Sequence, residues 1–144
     1  MNKIQNYING DFQLSATGNT IDDINPATGE IIGTIPASTS DDVQQAVNAA
    51  NGARADWAAL SVDERSNWLD KIADSLESKS EKIASLESLD TGKPISLARA
   101  VDAARSVTNF RFFAKFAKDY TNEKFEMEDA VNHVILKPVG IAGL

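Results

Sequence analysis

Leu89-Asp90-Thr91-Gly92-Lys93-Pro94 is the stretch whose reading decides the fold of this chain. Ile83 and Leu86 recur at helical spacing ahead of it, so a short helix from Lys79 ends at Leu89. Gly92 suits the left-handed residue that closes such a helix, and Pro94 suits the first turn of the next, which the pattern carries to Asp119. Toward the amino terminus the period stays helical as far as Ser40. Ser61 and Glu64 form a capping box opening a helix with the stripe Trp68, Leu69, Ile72, Ala73 and Leu76. Before it, Ser40 with Asp41 and Asp42 supplies the cap and dipole-friendly charges for a helix presenting Val43, Ala46, Val47, Ala50 and Trp57 on one face.

The first 36 residues read instead as short strands. Tyr7-Ile8 and Phe12 flank Asn9-Gly10, whose two residues suit the positive φ angles of a type I′ hairpin turn. The runs Ile21 to Ile24 and Ile31 to Ile35 are parted by Asn25-Pro26-Ala27-Thr28-Gly29-Glu30, where Pro26 biases Asn25 away from helix and forces a loop. Beyond Tyr120, a polar stretch to Asp129 precedes Val131, Val134, Ile135 and Leu136 as a strand. Val139 to Leu144 is expected to form another after the break at Pro138. Strands first, helices next and strands again make the class α/β. A chain that stops inside an apolar strand without a cap reads as truncated.

Composition narrows the partners. The 144 residues carry 42% hydrophobic and 24% charged side chains with a net charge of −7, ordinary for a globular domain. That sign argues against nucleic acid and against an anionic membrane, both of which reward Lys and Arg. No apolar run approaches a bilayer span and Met1 to Asn6 lacks the apolar core of a signal peptide, so the compartment is read as cytoplasmic. With no Cys and one His, a thiolate metal site is excluded and zinc would need several carboxylates. His133 reads as a strand-surface residue. Asp41-Asp42 and Asp63-Glu64 are explained by their helix starts. Gly140-Ile141-Ala142-Gly143 lacks the third glycine and the following helix of a dinucleotide cradle.

The expected helix from Pro94 to Asp119 is unusual. Phe110, Phe112, Phe113 and Phe116 point in several directions, which predicts burial between layers or against a partner. Asp102, Arg105 and Asn109 follow spacings of three and four and share a stripe with Ala98, Phe112 and Phe116. Charged groups among apolar ones pair with each other, as Asp102 with Arg105 or Arg105 with Asn109, or they face a cavity.

Taken together and in order, Tyr7-Ile8-Asn9-Gly10, Asn25 to Glu30, Leu89 to Pro94 and Pro138-Val139-Gly140-Ile141-Ala142-Gly143 resemble the amino-terminal segment of the aldehyde dehydrogenase superfamily. The segment Arg105-Ser106-Val107-Thr108-Asn109-Phe110-Arg111-Phe112-Phe113-Ala114 further resembles its 2-aminomuconic and 2-hydroxymuconic semialdehyde dehydrogenase branch. That resemblance implies an NAD- or NADP-dependent oxidation of an aldehyde to an acid, in which a Cys thiolate forms the thiohemiacetal and a Glu activates the hydrolytic water. Both groups, and the cofactor contacts, fall downstream of this stretch in the family, which implies that the chain alone is inactive. The implied substrate partner is a small aldehyde, and the implied assembly is a homo-oligomer, dimer or tetramer.

The resemblance divides the chain into residues 1–120 of the cofactor-binding domain, a bridging and oligomerisation hairpin over 121–137, and the lead into a first Rossmann-like strand over 138–144. It implies a monovalent cation held by carbonyls at Asp23 or Ile24 and by the Asp90 carboxylate; otherwise Asp90 is an ordinary local hydrogen-bond acceptor. It assigns Arg105, with Asn109 beside it, to the substrate mouth, where a guanidinium suits a carboxylate. One departure matters. The branch carries an Ile-Pro pair ahead of this Arg where Ala103-Ala104 stands here, which predicts a straighter helix. The competing class is a non-catalytic helical interaction module descended from such an enzyme. The codons following Leu144 separate the two.

Overall fold

The structure, a computed structural model, describes residues 2–120 and 122–143. Met1, and the Thr121 and Leu144 that bound the expected bridging and terminal strands, lie outside the described residues. Strand β1 (Asn2–Lys3) leads to the hairpin β2 (Asn6–Ile8) and β3 (Asp11–Gln13), joined through Asn9 at φ 57° and Gly10 at φ 89°. Two positive φ angles in succession define the expected type I′ turn. Tyr7 sits directly across from Phe12 with ring centroids 5.0 Å apart, so the aromatic pair supports the register.

Strands β4 (Thr20–Ile24) and β5 (Ile31–Pro36) pair antiparallel, and β1 adds parallel to the far edge of β5, giving the order β1-β5-β4. The register slips between Asp23 and Ile24, which face Gly33 and Ile31, leaving Ile32 as the bulged residue. The Asn25–Glu30 loop closes on itself. Asn25 Oδ1 accepts from the Ala27 amide at 2.8 Å, and the Asn25 carbonyl accepts from the Gly29 amide at 2.8 Å.

Helix α1 (Ser40–Ala59) is capped by Thr39, one residue earlier than the sequence reading placed it. Asp42, rather than Asp41, is the working acid. Its Oδ2 accepts from the Thr39 amide at 2.7 Å and its Oδ1 from the Ala16 amide at 2.8 Å, so it bolts the helix start to the loop after β3. The α1 stripe Val43, Ala46, Val47, Ala50 and Trp57 is exposed, with the β2 hairpin near Val43, Ala46 and Ala50 but not covering them. Helix α2 (Val62–Glu77) opens with the expected box, in which the Ser61 hydroxyl accepts from the Glu64 amide and Glu64 reaches back to the Ser61 amide at 2.7 Å.

Helix α3 (Ser80–Thr91) ends at left-handed Gly92, φ 71°, as expected. The run after Pro94 is not one straight α-helix. A short α4 (Ile95–Leu97) passes into a π-turn (Ala98–Ala103), which passes into α5 (Ala104–Asp119). The buried residues along it are Ala98, Ala103, Val107 and Ala114, and the step of five between the first two marks the π-turn. Ala98 and Ala103 pack with Ala84 and Ile83 of α3, while α5 lies along α2 around Ala73. These contacts are made by alanines, so the helices approach closely and the core is thin.

Of the two burials expected for the phenylalanine-rich helix, that between layers is not found among the described residues, and the expected terminal strand is not formed either. The phenylalanine-rich helix is covered on one face only: Phe110 is half-buried, while Phe112, Phe113 and Phe116 are exposed at 58%, 57% and 51%. Strand β7 (Val131–His133) pairs with β6 (Lys124–Glu126) but stops before Ile135 and Leu136, and residues 138–143 form no strand. Apolar sequence makes a strand only where a neighbour supplies the hydrogen-bond ladder, and among the described residues none reaches this segment. Val139 is 99% exposed.

Candidate functional site

The Asn25–Glu30 loop and the Gly92 turn, far apart in sequence, meet in space. A Cβ on Gly92 would lie 3.0 Å from both the Ala27 nitrogen and Pro26 Cγ, so glycine is required here for closeness as well as for its φ. That contact brings the ends of β4 and α3 together. Between α3 and the sheet lies a groove of about 620 Å³, lined among others by Lys3, Asp23, Ile32, Lys82, Glu87 and Asp90.

Asp23 and Asp90 face one another across this groove. Burial of the Asp23 carboxyl, then the charge of Asp90 and a hydrogen bond with it, push the Asp23 pKa above its ordinary value. Two facing carboxyls are relieved by a shared proton or by a cation. The register slip falls opposite Asp23 and Ile24, the two residues expected to offer carbonyls, with Ile32 of β5 as the extra residue. The structure therefore brings Asp23 and Asp90 together, and Ile24 follows Asp23 at the end of β4. Oxygen donors of this kind suit a hard cation. Among the described residues no cluster of three or more His, Cys, Asp or Glu is arranged for a metal ion.

Arg105 and Asn109 lie one turn apart on the exposed side of α5, away from buried Ala103 and Val107. Neither has a hydrogen-bonding or ion-pair partner among the described residues, so the expected structural pairs are absent. Asp102 is instead taken by Lys93, whose Nζ donates to Asp102 Oδ2 and to Glu87 Oε1, each at 2.8 Å. These two carboxylates, Asp102 first, hold the Lys93 pKa above the usual lysine value. The π-turn also overrides the expectation of a straight helix, because one extra residue rotates the rest of the helix by roughly 100° and breaks the stripe from Ala98 to Arg105.

Arg111 spans from α5 to α2, donating to Asp74 Oδ1 at 2.9 Å and Glu77 Oε2 at 2.7 Å, and this pairing raises its pKa. Sequence reading missed both Lys93 and Arg111 as organising cations. The separations of Lys93 from Glu87 and Asp102 match no single-helix spacing, so only the turn at Gly92 makes that pairing possible. His133 is exposed on β7, as expected. Gly140 has φ 107°, and residues 138–143 form neither helix nor strand.

Comparison with known proteins agrees with this architecture. The aldehyde dehydrogenase family model matches residues 12–144. The chain is 37% identical to the 2-hydroxymuconic semialdehyde dehydrogenase of Pseudomonas sp. (strain CF600), with 100% of this chain covering 31% of that protein. It is 42% identical to the 2-aminomuconic semialdehyde dehydrogenase of Danio rerio, with 98% of this chain covering 29% of that one. The solved NAD+ complex of an aldehyde dehydrogenase from Bacillus cereus superposes with a TM-score of 0.83 at 31% identity, over 92% of this chain and 28% of the other. The chain thus spans less than a third of the length of these relatives and carries an amino-terminal part of their fold. On the match over residues 12–144, it belongs to the aldehyde dehydrogenase family.

Proposed function

We propose that this chain is the amino-terminal part of a cytoplasmic, homo-oligomeric aldehyde dehydrogenase that oxidises a carboxylated semialdehyde to an acid with NAD or NADP. A bound nicotinamide dinucleotide would supply the hydride acceptor in that enzyme. The residues that would hold that dinucleotide are read as lying downstream of this chain. The nucleophilic thiol must also come from elsewhere, because these residues contain no cysteine. Residues 1–120 then serve the cofactor-binding domain, residues 121–137 bridge subunits, and residues 138–144 lead onward.

The observation that carries the substrate class is the pair Arg105 and Asn109, side by side on an exposed helix face with their charge and amide uncommitted. A planar guanidinium recognises a carboxylate bidentately, and the neighbouring amide adds a donor one turn away. Asp23, Ile24 and Asp90 would hold a monovalent cation at the junction of β4 and α3. The names of the muconic semialdehyde relatives support the same substrate class.

The test is Arg105→Ala in the full-length enzyme. The lost charge-assisted pair should lower kcat/KM for an acidic aldehyde by roughly one to two orders of magnitude and spare a neutral aldehyde of similar size. Lys in place of Arg105 should restore only part of it. Equal losses for both substrates reject the carboxylate role. The 144-residue chain alone should reduce no cofactor with either aldehyde.

A further inference from the structure

The helical run that carries Arg105 contains a π-turn, and Lys93 ties that turn to α3. Its ammonium joins Glu87, near the end of α3, to Asp102, inside the π-turn. The three side chains are only 27%, 35% and 33% exposed, so the network is partly shielded from solvent. The Lys93 backbone is itself fixed: left-handed Gly92 precedes it, Pro94 follows it, and the Ser88 hydroxyl donates to its carbonyl at 2.6 Å. On the far side, the Ser106 hydroxyl donates to the Asp102 carbonyl at 2.9 Å, where the π-turn gives way to α5.

A π-turn is rare, and local sequence does little to favour it over the α-helix that Ala98, Ala100, Ala103 and Ala104 would otherwise form. Tertiary contacts must therefore hold it. Removing the extra residue from the turn would rotate either α5 or the segment before it by roughly 100°. Since α5 is also anchored to α2 by Arg111, the cost falls at the junction that sets the direction of Arg105 and Asn109.

We propose that Lys93 is a positioning residue: by drawing Glu87 and Asp102 together it keeps the π-turn formed and so fixes the direction in which Arg105 and Asn109 leave α5. The effect on substrate selection rests on the carboxylate-binding reading of Arg105; the clamp on the π-turn does not.

Two measurements separate these parts. In the full chain, amide hydrogen exchange over residues 98–103 should be about tenfold faster in Lys93→Met than in wild type, with α2 amides within about twofold. Lys93→Arg should stay near wild type, because a guanidinium can also span both carboxylates. Unchanged exchange over 98–103, or equal acceleration through α2 and α5, overturns the clamp. If Lys93→Met does not fold, Asp102→Asn removes one of the two attractions at constant volume. It should give a smaller acceleration confined to the same residues, and no acceleration there overturns the clamp.

In the full-length enzyme, Lys93→Met should lower the acidic-to-neutral ratio of kcat/KM about tenfold, mainly through KM, and should lower it no further in an Arg105→Ala background. If Arg105→Ala moves that ratio and Lys93→Met does not, the positioning role falls. If Arg105→Ala leaves the ratio unmoved while the exchange result holds, the substrate assignment falls and the clamp stands.

Discussion

Gly92→Ala tests whether the meeting of the two loops organises this part of the fold. Two costs add at that position. The φ of 71° is left-handed, where a Cβ costs about 1–2 kcal/mol. The new methyl would also lie 3.0 Å from the Ala27 nitrogen and Pro26 Cγ and 3.1 Å from Ala27 Cβ. Pro26 is rigid and Ala27 is held by the Asn25 side chain, so the loop cannot step aside without losing that bond. Overpacking of this kind costs about 1–3 kcal/mol. The sum is about 2–5 kcal/mol, which at a urea m-value of about 2 kcal/mol/M lowers the midpoint by roughly 1–2.5 M. Gly18→Ala is the matched control, since Gly18 has φ 69° and a Cβ there meets nothing within 4 Å. It shares the backbone cost and the unfolded-state term, so the difference between the two variants isolates the close approach. If Gly92→Ala destabilises no more than Gly18→Ala in urea unfolding, the loop contact contributes nothing and the reasoning fails.

Three further outcomes rest on the same geometry. Asp42 accepts from the Thr39 and Ala16 backbone amides, chiefly Thr39, which hold its carboxyl below the ordinary value of about 3.9. Its contribution should be complete above that value and disappear as pH falls through the lower folded pKa; Asp42→Asn should flatten that part of an acid unfolding curve monitored by helical circular dichroism. Asp23 has the opposite sign: its raised pKa favours folding at low pH and is lost as pH rises through it. At neutral pH the chain should therefore be more heat-stable in Na+ or K+ than in tetramethylammonium at equal ionic strength, a difference that Asp90→Asn should abolish. Finally, exposed Phe112, Phe113, Phe116, Ile135 and Leu136 should make the isolated chain associate in sedimentation experiments, and a clean monomer at high concentration would contradict that.

The features legible in the sequence are those whose physics is local. Asn9-Gly10 demands a particular turn, Ser61 with Glu64 a particular helix start, and Gly92 a helix end, and each is found where its residues predict. What failed depended on neighbours. The stripe on α1 and the phenylalanines of α5 are correctly periodic, but periodicity states which face is apolar and not whether something lies over it. The run after Pro138 is apolar enough for a strand, and without a pairing edge it forms none. Asp90 reads from its own residues as a local hydrogen-bond acceptor, and its meeting with Asp23 depends on a loop contact that no local rule encodes.

The π-turn shows how one such omission propagates. Four alanines among residues 98–104 leave the helix without a phase marker, so a regular period of 3.6 was the only basis for placing its faces. On that basis Asp102 and Arg105 become neighbours and neutralise each other. In the structure the turn at Gly92 delivers Lys93 to Asp102 first, and a lysine already shared with Glu87 satisfies the carboxylate that would have claimed the arginine. The charge left uncommitted on Arg105 is thus a consequence of the turn two helices upstream. If Arg105 binds a substrate carboxylate as proposed, then by giving Asp102 to Lys93 the Gly92 turn keeps that guanidinium available, and this ties the turn to the acidic substrate proposed for the whole enzyme.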